Sequence, residues 1–235
     1  MMDTVIRIGL LRMTELPDGT LDIHGPYATL FSLFFENQPV ALLDFAVHEG
    51  AAPASLDDCD GWVISGSPAS VYDDLDWIRT GEQIVRSALA EERPMVGICF
   101  GHQLIAQALG GRVQKALNGW GIGAQRYDTV RALRQLQQPG PTTMLASHQD
   151  QVVGLPDEAS VWSSADYCPI AGFTVGERML TMQGHPEFTP QLVTAIYESR
   201  RDRIGDTEVD VALGTLTRPL SNDAIAEAIV RLVAD

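Results

Sequence analysis

Gly97-Ile98-Cys99-Phe100-Gly101-His102-Gln103 places a thiol between two glycines, where an apolar run gives way to a helical stretch. A nucleophile on a sharp strand-to-helix turn crowds the neighbouring backbone, and glycines two positions before and after it supply room. The helix that follows aims its first N–H groups and the positive end of its dipole near the sulfur, which favours negative charge there. The N–H of Phe100 then points where an oxyanion would form. Taken alone, the pattern fits a buried structural cysteine in a glycine-containing turn equally well.

A cysteine nucleophile needs a base, and the base needs an acceptor that orients it. Of the five histidines, His185 lies in Gln183-Gly184-His185-Pro186-Glu187, just after the apolar run Met179–Met182. In extended chain, residues i and i+2 share a face, so Glu187 can accept from one ring nitrogen of His185 while the other faces Cys99. Pro186 favours extended backbone at His185. His102 reads as a packing or capping residue, and His148 as a pocket wall or a structural group. His24 and His48 have no ligand-spaced partner, and Cys59, Cys99 and Cys168 form no CxxC, so neither a metal site nor a disulfide framework is expected. With no GxGxxG or P-loop pattern, no nucleotide site and no organic cofactor are expected. Trp62, Trp77, Trp120 and Trp162 read as core or pocket wall.

Short apolar runs alternating with helical stretches predict an α/β sheet. Strands are expected at Val5–Leu11, Val40–Phe45, Gly61–Ser65, Met95–Cys99, Met144–Ser147, Val161–Ser164, Ala171–Val175 and Met179–Met182. Helices are expected at Tyr27–Phe35, Leu75–Glu92, Gln103–Leu109, from Thr189-Pro190 to about Arg203 with Thr as N-cap, and from Ser221 to near Val233. Neither a repeat nor a linker divides the 235 residues, so a single domain over 1–235 is expected.

Sixteen basic against thirty-one acidic residues give a net charge of −15, which disfavours nucleic acid and anionic membrane as partners. The apolar runs are too short to span a bilayer, and the N-terminus does not read as a secretory signal, so a cytoplasmic location is expected.

The Cys99 and His185–Glu187 segments together resemble the class I glutamine amidotransferase family, whose glutaminase domain uses a Cys-His-Glu triad. The resemblance implies a flavodoxin-like three-layer sandwich with a mainly parallel central sheet, the elbow lying at its C-terminal edge. It implies Cys99 as nucleophile, His185 as general base and Glu187 as orienter. Ser65-Gly66-Ser67-Pro68-Ala69-Ser70-Val71-Tyr72 looks like the family's oxyanion loop, especially that of its GMP synthase-like branch, which implies a second donor at the N–H of Ser67 or of Gly66, beside Phe100. Gln103 and the segment Ser147-His148-Gln149-Asp150 match positions that hold the substrate's glutamyl end.

Departures are Ser67 where glycine is frequent, Gln149 after the histidine, and Gly121 for an acid in a loop over Asn118–Gly123. Gly25-Pro26-Tyr27 and the cysteine motif look most like free-standing members. The resemblance implies hydrolysis of a γ-glutamyl amide through a glutamyl thioester, with a small-molecule substrate. Forty-eight residues follow Glu187, too few for an ATP-using synthetase domain. The first reading is therefore a glutaminase that hands ammonia to a separate synthetase. The alternative is a free-standing γ-glutamyl peptidase without an acceptor, and a third is a non-catalytic binding or regulatory protein.

Overall fold

The computed structural model of the chain describes residues 5–17, 19–20, 25–137 and 140–235. Its strands in chain order are β1 (Ile6–Arg12), β2 (Val40–Ala46), β3 (Gly61–Ile64), β4 (Met95–Ile98), β5 (Arg112–Lys115), β6 (Gly121–Thr129), β7 (Thr142–His148), β8 (Asp150–Gly154), β9 (Ala159–Ala165), β10 (Cys168–Val175) and β11 (Met179–Met182). Helices are α1 (Tyr27–Phe34), α2 (Asp76–Ala90), α3 (Phe100–Ala108), α4 (Pro190–Glu198), α5 (Arg201–Ile204), α6 (Asp206–Gly214) and α7 (Asn222–Ala234).

Nine strands form one mixed sheet in the order β2-β1-β3-β4-β11-β10-β9-β6-β7, while β5 and β8 pair in a separate ribbon. The first five of that order are parallel to one another, and the pairs from β11 onward are antiparallel. The fold is thus the α/β class expected, with the candidate site at the end of its parallel part.

Side chains that alternate along the parallel strands feed two apolar layers. Ile8, Leu10, Val63, Val96 and Ile98 pack with α1 and α7 on one face. Leu11, Trp62, Ile64 and Met95 pack with α2 and α3 on the other. The helix of the elbow must lie almost on the sheet, and two glycines allow it. A Cβ on Gly97 would meet the carbonyl oxygen of Gly101 at 2.5 Å, and one on Gly101 would meet the carbonyl oxygen of Ile64 at 2.5 Å.

Several elements differ from expectation for identifiable reasons. Helix α3 begins at Phe100, three residues ahead of Gln103, because Cys99 itself is the turn residue before the helix. The helix expected to run to about Arg203 stops at Glu198, resumes as the short α5, and turns again at Gly205, whose φ is +112°. Helix α6 was not expected, nor were β5, β6 and β8. β5 is polar and mostly exposed, so it carries no hydrophobic alternation. The stretch Asn118–Gly123, read as a loop, is strand from Gly121 on, where a Cβ would meet Nε2 of His148 at 2.5 Å. Among the described residues no helix is long and apolar enough to cross a membrane.

Two glycines should respond oppositely to alanine. At Gly101 the new methyl has backbone in its way, so Gly101→Ala should lose about 1–3 kcal/mol in urea unfolding. At Gly214, in α6 with nothing within 4 Å of a built Cβ, Gly214→Ala should stay within about 0.5 kcal/mol or stabilise slightly.

Candidate active site

Cys99 closes β4 and opens α3 with φ 51° and ψ −101°, one of three described non-glycine residues at positive φ. Such a conformation costs about 1–3 kcal/mol and persists only where its surroundings impose it. Here the Cys99 N–H donates to Met182 O at 2.9 Å, and Cys99 O accepts from the Gln103 N–H at 3.1 Å. β11 on one side and the first turn of α3 on the other therefore fix the bend.

His185 follows β11, and its N–H donates to Leu145 O of β7 at 2.7 Å. Its Nδ1 lies 2.8 Å from Glu187 Oε1, and Phe188 stacks on the ring at 3.8 Å. Burial would push the imidazole pKa down, but Cys99 and then Glu187 push it up further, to about 10. The three residues named from the sequence are thus brought together, with His185 between the other two.

A fourth residue joins them. The hydroxyl of Tyr27 donates to the same Glu187 oxygen at 2.8 Å. The start of its helix is anchored by the Tyr27 N–H, which donates to Glu15 Oε1 at 2.6 Å. Burial first and then Glu187 hold the phenol pKa far above its ordinary value, so it remains a donor. From the sequence, Tyr27 is placed at the start of a helix and in the Gly25-Pro26-Tyr27 motif, with no role beside Glu187. The signal was present, because a buried tyrosine hydroxyl needs a partner.

The Ser65–Pro68 turn ends β3 beside this group. Gly66 admits no side chain, since a Cβ would meet His185 Cε1 at 2.6 Å. Ser65 is buried, its Oγ accepting from the Met13 N–H at 2.9 Å and donating to Gly66 O at 3.0 Å. Gly66 C=O and Ser67 N–H belong to one planar peptide and point opposite ways. Ser65 therefore fixes the direction of the Ser67 N–H.

The residues matched to a glutamyl pocket also converge. Gln103, Ser147, His148, Gln149 and Asp150 line one cleft with Cys99. Gln103 Nε2 donates to Asp150 O at 2.9 Å and to Gln183 Oε1 at 3.2 Å. Asp150 Oδ2 accepts from Ser70 Oγ at 2.6 Å. His148 is held neutral, its pKa lowered to about 4 mainly by burial, and Nδ1 meets Asp150 O at 3.1 Å.

A second cleft of about 200 Å³ opens on the other side of Cys99, lined by His185, Tyr27, Phe188, Ile196 and Leu16 among others. The two clefts share Ser67, Pro68, Cys99, Ser147 and Arg200.

The remaining candidates lie elsewhere. His102 packs on Phe173 and meets Thr181 Oγ1 at 2.8 Å, with its pKa lowered to about 3, chiefly by burial. Burial raises the thiol pKa of Cys59 to about 11 and of Cys168 to about 12. His48 Nδ1 meets Arg12 O at 3.1 Å, and His24 lies outside the described residues. Among the described residues no three His, Cys, Asp or Glu side chains cluster to hold a metal.

A mixed sheet whose parallel part ends in a cysteine elbow, faced by histidine and glutamate, defines a class. The family described as "Glutamine amidotransferase class-I" matches residues 39–198, and the chain belongs to it. Gamma-glutamyl peptidase 3 of Arabidopsis thaliana is 30% identical over 184 residues, 74% of either chain. One subunit of the glutamine-hydrolyzing GMP synthase of Methanococcoides burtonii is 34% identical over 182 residues, 74% of this chain and 89% of that one. Among solved structures, a glutamine amidotransferase from Thermotoga maritima superposes with a TM-score of 0.77 at 19% identity, covering 98% of this chain and 96% of its own.

Two tests follow from the geometry. A glutamine-like chloroketone should label Cys99 and spare Cys59 and Cys168, as judged by peptide mass mapping, and Tyr27→Phe should slow that labelling severalfold. Equal labelling of Cys59 would remove Cys99 as nucleophile. Acid should also destabilise the fold through its buried histidines. With folded pKa values depressed to about 3 and about 4 for His102 and His148, the unfolded chain binds more protons below its ordinary histidine pKa of about 6.5. Their contribution is complete above that value and falls as pH drops towards 3. The urea midpoint of His102→Gln should therefore lose less between pH 7 and pH 4 than that of the parent chain.

Proposed function

We propose that the chain is a free-standing hydrolase of γ-glutamyl peptides or amines, with Cys99 as nucleophile, His185 as acid and base, and Glu187, steadied by Tyr27, as its orienter. The Cys99 thiol passes its proton to His185 as the sulfur bonds to the γ-carbonyl carbon, and the carbonyl electrons move to an oxygen held by the N–H groups of Phe100 and Ser67. The carbon–nitrogen bond breaks as His185 gives its proton to the departing nitrogen. Water, deprotonated by His185, then attacks the thioester, releasing glutamate and restoring the thiol. These steps require no metal and no organic cofactor.

The observation that carries the peptidase reading is the cleft on the His185 side. The departing nitrogen has to be within reach of His185, so the leaving group points into that cleft and the glutamyl end into the cleft of Gln103 and Asp150. Ammonia is about the size of water, which needs only about 10–15 Å³ of such space. The cleft offers about 200 Å³, much of it apolar. Similarity to the Arabidopsis gamma-glutamyl peptidases supports the same reading. Similarity to the GMP synthase of Methanococcoides burtonii supports the first reading from sequence, in which ammonia passes to a separate synthetase. The assembled Cys99–His185–Glu187 group weighs against a purely binding role.

A chain that works alone needs its oxyanion hole ready at rest, and the Ser65 contact to Gly66 O supports that. The purified chain should hydrolyse a γ-glutamyl dipeptide without a partner, with kcat/KM about tenfold or more above that for glutamine, because binding of the remote leaving group is expressed in rate. His185→Ala should lose about 10²–10⁴-fold, and Glu187→Gln less. Activity that appears only with a second protein and its acceptor would overturn the peptidase reading in favour of the synthetase partner.

A further inference from the structure

The two clefts that meet at Cys99 differ in their charge, and one residue stands at their junction. Arg200 lies between α4 and α5 and lines both clefts. It is half-buried, and the groups acting on its guanidinium are Arg203, Cys99 and Tyr197, with no carboxylate among them. No ion pair joins Arg200 to a carboxylate among the described residues. By contrast Arg12 pairs with Asp44 and Glu15, and Arg201 pairs with Glu198, Asp206 and Asp210. In a chain of net charge −15, a partly buried cation left without an anion is placed to receive one from outside.

We propose that Arg200 reads a carboxylate on the leaving group, so that the favoured substrates are γ-glutamyl conjugates of α-amino acids or short peptides rather than of neutral amines. This inference rests on the hydrolase reading above. The glutamyl cleft has two cations of its own, Lys115 and Arg203, and Asp150 for the ammonium group. Lys115 is the sole lysine of the chain, and Arg203 is steadied over the Trp120 ring at 5.7 Å. The leaving-group cleft has no lysine and no arginine in its lining except Arg200.

The one acid in that lining, Glu15, cannot neutralise Arg200. Its Oε2 accepts from Arg12 Nη1 at 2.7 Å, and its Oε1 accepts from the N–H groups of Leu16 and Tyr27 at 2.9 and 2.6 Å. Leu16, Pro17, Phe188 and Ile196 give the wall an apolar part. Such a wall suits an apolar side chain, with Arg200 taking the carboxylate beside it.

The test compares γ-glutamyl-valine with γ-glutamyl-valinamide, which share shape but not the terminal charge, on the full chain and on Arg200→Met and Arg200→Lys. A charge-assisted hydrogen bond to a carboxylate corresponds to about 10- to 100-fold in kcat/KM. The parent should prefer the acid by that factor. Arg200→Met should lose the preference by slowing the acid alone, leaving the amide within about threefold, and Arg200→Lys should restore part of it. Equal loss on both substrates would overturn the proposal and place Arg200 at the glutamyl end or in the fold, and so would no loss on either.

If the parent turns over neither substrate, the hydrolase reading fails separately. The assignment is then decided by calorimetric binding of the same two compounds to Cys99→Ser. Tighter binding of the acid that Arg200→Met abolishes supports it, and equal or undetectable binding of both overturns it.

Discussion

The backbone contact between α3 and strands β3 and β4 decides what this edge of the sheet can do. Gly101 lies against Ile64 O and Gly97 against Gly101 O so closely that neither position tolerates a Cβ. A helix brought that near cannot follow from β4 through an ordinary bend. The residue between takes φ 51°, a conformation that non-glycine residues adopt at a cost. That residue is Cys99, which lines both clefts. The strain is held by the packing on both sides, including the hydrogen bond from the Cys99 N–H to β11.

From that contact the rest of the constellation is a problem of holding one imidazole. Strand β11 lies beside β4, so the residues that follow it pass Cys99. The bridge from His185 to Leu145 then fixes the backbone, the Phe188 ring fixes the plane, and Glu187 fixes one nitrogen. Glu187 Oε1 is shared by His185 and Tyr27. A carboxylate with a single partner could rotate about its last torsion, whereas two donors on one oxygen define its direction. Tyr27 arrives from α1, on the opposite side of the chain order, so the orientation of the histidine depends on the α1 side of the sandwich being packed.

How far this was legible in the sequence depended on whether the signal was local. The motif around Cys99, the i and i+2 relation of His185 and Glu187, and the apolar strands β1, β3, β4 and β11 rest on neighbours in sequence, and each is found close to where it was read. The antiparallel extension was less legible. β5 and β6 carry polar or glycine-rich stretches whose pairing depends on partners far along the chain; Gly121 pairs opposite His148 of β7, whose ring fills the space a side chain there would need. The end of α4 was missed because no glycine or proline stands between Glu198 and Ile204 to mark a stop, and only the structure shows the chain turning there. Tyr27 and Ser65 were hidden for a different reason. Their roles are single hydrogen bonds, to Glu187 and Gly66, made across 160 residues and to the adjacent residue respectively, and neither bond leaves a periodicity.

The distribution of charge separates the surface from the site. A net charge of −15 repels anions at a distance, yet the side chains around Cys99 include Lys115, Arg200 and Arg203. Beyond a Debye length of about 8 Å at physiological ionic strength the surface acidity is screened, while charges inside a cleft are screened less. A small anion approaching the clefts therefore meets an acidic exterior whose repulsion is screened with distance, and then the cations that line the clefts. The same arrangement disfavours large polyanions, which cannot enter the cleft and must face the acidic surface. In the hydrolase proposed above, selectivity for small carboxylates would follow from where the cations of the two clefts stand, even though acidic residues outnumber basic ones overall.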